Sequence, residues 1–136
     1  MRNISFALTT EQIRNQTKTV TRRVGWASLK PGTLLQPVVK GQGIPKGGTV
    51  EKIGGPIRVV SVRRERLDAM IPAASDCRVG DSECVAEGFP LMWPQEFVTM
   101  FCDHNGCQIW DEVTRIEFVF CDEATSPATR ATVAGR

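Results

Sequence analysis

Two groups of residues have the types and spacing for chemistry. The first is basic. Arg14, Lys18, Arg22, Arg23 and Lys30 fall between positions 14 and 30, and Arg63, Arg64 and Arg66 form a second cluster. Such clusters either hold phosphates or form solvated faces, and the solvated face is the commoner outcome. The second group is soft. Cys102, His104 and Cys107 stand close together, with Cys77 and Cys84 upstream. Structural zinc needs four such ligands, commonly as paired cysteines two to four residues apart. Cys102 and Cys107 stand at the edge of that spacing and Cys77 and Cys84 fall outside it. The competing reading packs Cys102 beside a helix, puts His104 at the helix end and leaves Cys121 as core or rim. The paired cysteines of a zinc deaminase are missing, so no metal and no other cofactor is assigned. The glycines at 41, 43, 47 and 48 form no phosphate loop, because no Gly-Lys-Ser/Thr follows them.

The totals narrow the partners. The chain has 136 residues, enough for one domain with a sizeable core. With 17 basic and 15 acidic residues the net charge is +2, which excludes a coat that binds nucleic acid by charge alone. Tyrosine is absent, so any stacking platform for bases must use Trp26, Trp93, Trp110 or phenylalanine. No apolar run approaches the ~20 residues of a membrane span, and Met1–Thr10 does not read as a secretory leader. Five cysteines, an odd count, argue against a disulfide framework and for a reducing, cytoplasmic setting.

The elements that must position these residues are short. Ile4, Phe6 and Leu8 alternate with smaller residues and predict a strand, followed by a helical turn over Glu11–Asn15 capped by Thr9 or Thr10. Strands are predicted over Thr19–Val24, over Leu34–Val39 after the Lys30-Pro31-Gly32 turn, and over Ile57–Arg63, with a long glycine hairpin across 41–55. Leu67–Met70 suits a helical turn and 72–81 a polar loop. Helices follow over Glu83–Gly88 and from Pro94 to His104, the second stopped by Asn105-Gly106, with Phe97, Met100, Phe101 and His104 as its inner face. In the last strand Ile116, Phe118 and Phe120 point one way. Residues 122–136 lack periodicity and predict a disordered tail. Strands interrupted by short helices predict an α+β fold, a small mixed β-barrel of about six strands with two or three short helices.

Thr17-Lys18-Thr19-Val20-Thr21-Arg22-Arg23, after a first strand and short helix, is similar to the ASCH signature of a lysine followed by threonines and an arginine. Leu29-Lys30-Pro31-Gly32, Val59–Arg66, Ala86-Glu87-Gly88-Phe89-Pro90, Glu96-Phe97 and Val113–Phe120 continue that family's pattern in order, over residues 3–121. The resemblance implies a PUA-like barrel at 1–121 with a cleft between barrel and helices, and partners among RNA, DNA or modified nucleosides. One branch of the family hydrolyses the acyl amide of N4-acetylcytidine with a lysine, a threonine and a glutamate. Carried onto this chain they are Lys18, Thr21 and Glu87. The chain is longer than that branch, with its extra length in the 41–55 hairpin and the 72–83 loop.

The trio makes chemical sense. Amide hydrolysis needs a nucleophile, a base and a proton for the leaving amine. Lys18 can serve as base only if burial or a second cation, Arg22 or Arg23, lowers its pKa. Thr21 would be the nucleophile, and Glu87 would orient the lysine, shuttle the proton or, ranked first, accept from the cytosine amine. Phe89 and Trp93 are expected at the cleft rim. An ideal strand would point Lys18 and Thr21 to opposite faces, so the trio meets only if Lys18 precedes the strand or a bulge intervenes. The alternative function is a non-catalytic RNA- or DNA-binding module in which Lys18, Arg22 and Arg23 hold phosphates.

Overall fold

A computed structural model describes residues 1–40, 48, 50–71 and 78–121, and for 78–81 the backbone alone. The predicted hairpin tip, most of the polar loop, Cys77 and the predicted tail lie outside the described residues. The fold is α+β. Five strands, β1 (Arg2–Ser5), β2 (Val20–Arg23), β3 (Leu34–Val38), β4 (Ile57–Arg66) and β5 (Glu112–Phe120), form one mixed sheet in the order β1-β3-β4-β5-β2. β1 and β3 run parallel and the other neighbours antiparallel. The sheet has five strands where about six were expected. Among the described residues its order is open, with β1 and β2 at the two ends and no ladder joining them into a barrel.

Three helices, α1 (Thr10–Arg14), α2 (Arg78–Ala86) and α3 (Pro94–Asn105), and a 3-10 turn over Leu67–Met70 complete the fold. None of the described helices is long and apolar enough to cross a membrane. α1 lacks the predicted threonine cap: the Thr10 hydroxyl donates to the Phe6 carbonyl at 2.9 Å. α2 begins at Arg78, inside the predicted loop. At α3 the side chain of Glu96 accepts from the Trp93 N–H at 2.8 Å, which compensates for an N-cap residue without an acceptor. Gly106, at φ +68°, ends α3 by donating its N–H to the Cys102 carbonyl.

The core has two lobes. Ile4, Phe6, Leu35, Ile57, Val59, Ile116 and Phe118 of the sheet and its approaches form one lobe, with Ile13 of α1. Leu67, Met70, Phe97, Val98, Phe101 and Val113 form the second lobe under α3. β4 links the two through a bulge: Val59 pairs with Phe118 and Ser61 with Glu117, leaving Val60 as the extra residue, largely exposed.

Candidate active site

Beyond the bulge, β4, β5 and β2 set three arginines abreast. Arg63 pairs with Arg115, and Arg115 with Arg22. Like charges directly opposite one another destabilise a sheet, so this row requires counter-charge. Glu65 of β4 accepts from Arg22 Nε at 3.2 Å, Nη2 at 2.9 Å, and from Arg63 Nε at 2.9 Å. Glu83 of α2 accepts from Arg115 Nε at 2.8 Å and also pairs with Arg22 Nη2. Burial works to raise the Glu83 pKa, but the hydrogen bonds from Arg115 and Arg22 outweigh it and bring the carboxyl down to about 2. For Arg22 burial likewise opposes the charge, and Glu87, Glu83 and Glu65 outweigh it, so its pKa is raised.

One helical turn after Glu83, Glu87 is brought to the same place. Backbone contacts clamp it against the segment before β2: Thr19 N–H donates to the Ala86 carbonyl at 2.8 Å, and the Gln12 side-chain amide donates to the Gly88 carbonyl at 3.1 Å. Lys18 lies in that segment, ahead of β2, which answers the alternation objection without a bulge in the strand. Lys18 Nζ donates to the Glu87 carbonyl at 2.6 Å and to Glu87 Oε1 at 2.9 Å, while Arg22 Nη1 donates to Glu87 Oε2 at 2.9 Å. Lys18 is 3% exposed and Glu87 2%. Desolvation lowers the Lys18 pKa from its ordinary 10.5; Glu87 opposes that shift, and Arg23 and Arg22 add to it.

Thr21 and Arg23, alternate residues of β2, share a face. Arg23 Nε donates to Thr21 Oγ1 at 3.0 Å and Nη2 donates to the Ser5 carbonyl of β1 at 2.6 Å. The guanidinium carbon stands 4.8 Å from the centre of the Phe6 ring. Burial brings the Arg23 pKa down to about 10, with Glu87 opposing.

These groups line one cavity of about 140 Å³. Lys18, Thr21, Arg22, Arg23 and Glu87 supply its polar wall; Phe6, Phe89, Phe97, Met100 and Phe101 supply the apolar one, and His104 and Asn105 stand at the end of α3. The cavity lies where the two lobes of the core meet. Of the residues expected at the site only Trp93 is outside this lining, with 67% of its surface exposed. Sequence reasoning did not identify Glu65, Glu83 and Arg115 as members of the network. Their acid–base alternation was visible, but nothing local connects β4, β5 and α2.

Cys102 and Cys107 face each other with Sγ atoms 3.9 Å apart, and burial with the neighbouring Cys107 raises the Cys102 pKa to about 11. Cys84 packs in the second lobe and His104 lines the cavity instead. Among the described residues no three His, Cys, Asp or Glu side chains are placed to hold a metal ion. No protein-family model matches the chain, and no curated protein or solved structure matches it significantly.

Proposed function

We propose that the cavity recognises a nucleic-acid base or modified nucleoside and hydrolyses the N4-acyl amide of cytidine derivatives, in an ASCH-type domain with a PUA-like, barrel-related sheet. One observation carries the reading: a buried amine, Lys18, shares a small cavity with a threonine hydroxyl and is held by a buried carboxylate. A neutral amine has two N–H groups and one lone pair. Two donations to Glu87 engage both N–H groups and leave the lone pair as the free valence. Desolvation favours that neutral form.

Lys18 then removes the proton of Thr21 Oγ1 as that oxygen adds to the acyl carbon. The donation from Arg23 Nε to the same oxygen lowers the cost of its developing negative charge. Cleavage of the C–N bond returns the proton from Lys18 to the exocyclic nitrogen, and water releases the acid from the threonine ester. Each Glu87 carboxylate oxygen accepts one hydrogen bond from Lys18 or Arg22 and keeps a lone pair for the cytosine amino group.

The alternative is the RNA- or DNA-binding module. The pairing of Lys18 and Arg22 with carboxylates speaks against it, because both are committed within the protein and only Arg23 is left for a phosphate. Incubation with N4-acetylcytidine, with cytidine followed by chromatography, tests the choice. Lys18→Met and Glu87→Gln, both folded by circular dichroism, are expected to lose at least about 100-fold in kcat/KM. A folded wild type without turnover would reject this substrate and move the weight to the module, whose affinity should fall steeply with salt.

A further inference from the structure

Each basic side chain on the cavity's polar wall but one has a carboxylate beside it. Lys18 is within 4.0 Å of Glu87, Arg22 of Glu65, Glu83 and Glu87, and Arg115 behind them of Glu83. Arg23 is left over. Among the described residues no carboxylate comes within 4.0 Å of it, and its partners are a hydroxyl, a main-chain carbonyl and the face of Phe6. A guanidinium carries five N–H donors, and the two donations to Thr21 and Ser5 leave three without an assigned acceptor. A partly buried cation is costly without a counter-charge. This one lines the cavity beside the Thr21 hydroxyl.

We infer that Arg23 forms an anion site for a small carboxylate, the acid released by deacylation. The identity of the anion rests on the hydrolytic reading; the anion site itself does not. Two features favour a carboxylate with a short alkyl tail over a phosphate. Arg23 is one guanidinium without a carboxylate beside it, which suits a monoanion. The apolar part of the lining, Phe6, Phe89, Phe97 and Phe101, accommodates a tail and offers a phosphate's outer oxygens no donors. Planar carboxylates also match the guanidinium fork. The site predicts product inhibition, because the acid occupies the donors next to the nucleophile.

The test titrates the wild-type protein with ¹³C-labelled acetate and, separately, with inorganic phosphate at constant ionic strength, following chemical shift and melting temperature. Acetate should bind saturably with a Kd on the order of 1 mM and compete with substrate. Arg23→Gln should weaken acetate at least about 10-fold, and Arg23→Lys should recover part of it as a point charge. Should Arg23→Gln fail to fold, the wild-type titrations decide alone. Absence of saturable acetate binding, or tighter binding of phosphate, would overturn the inference. Acetate binding without turnover of N4-acetylcytidine would keep the anion site and remove the hydrolase. Turnover without acetate binding would do the reverse.

Discussion

At the scale of the residue, the site depends on carboxylates that keep cations in place. Glu83 titrates at about 2 in the folded chain against an ordinary 4.5. A depressed carboxylate stabilises the fold fully above its unfolded pKa and loses that contribution as pH falls towards the folded one. Stability measured by urea denaturation should therefore decline between pH 4.5 and pH 2. The Glu83 share of that decline is about 1–2 kcal/mol once solvent screening at its partly exposed carboxylate is allowed for. Glu83→Gln should remove this share and flatten the decline. If the variant follows the wild-type curve, Glu83 is not what holds Arg22 and Arg115 together. Turnover follows a different group: it should fall as acidification protonates Lys18 below its lowered pKa.

At the scale of the element, the end of α2 sets the Lys18–Glu87 distance. Gly88 terminates that helix at φ +96°, where a side chain is strained, and a Cβ there would stand 3.0 Å from Gln12 Cγ and 3.5 Å from Lys18 Cβ. Gly88→Ala should cost about 2 kcal/mol and lower kcat more than this stability loss explains, because the strain is relieved by moving Gln12 or Lys18. Unchanged turnover at temperatures well below melting would show that the clamp between Gln12 and Gly88 does not position the amine. Much of this scale was legible beforehand. The helical turn predicted over Glu11–Asn15, the strand at β3, the Pro94 start of α3 and its Gly106 stop are local signals, and the elements lie within a residue of them, although α1 forms without the threonine cap. The start of α2 was missed because glycine and charged residues in 78–83 carry no apolar period.

At the scale of the whole molecule, the cavity lies where two core lobes meet along a sheet that, among the described residues, ends at β1 and β2, with the Arg23 guanidinium reaching from one end strand to the other. Phe118 is 1% exposed and packs on Phe6, whose ring faces Arg23. Phe118→Ala should cost about 3–5 kcal/mol. Val60→Ala, at the bulged residue outside the core, should change stability by less than about 0.5 kcal/mol. Thermal melts of the pair check that Phe118 carries core packing and Val60 does not.

What the sequence determined by itself was local: the order and kind of most elements, the inner face of β5, Phe97 and Phe101 of the inner face of α3 (His104 is exposed and the buried Val98 was not foreseen), and the basic residues around β2. Periodicity and capping act over a few neighbours, so they can be read along the chain. The pairing of Lys18 with Glu87, 69 residues apart, was reached in advance only through family resemblance. Spacing alone left open whether Lys18 and Thr21 could share a face. Tertiary structure places Lys18 ahead of the strand and lines one cavity with both residues. It also decided that Glu65 and Glu83 neutralise the arginine row, and that Arg23 is left without a carboxylate. Which charges meet is fixed by strand register and helix docking, and those are set by long-range burial of the core rather than by any residue's neighbours in sequence.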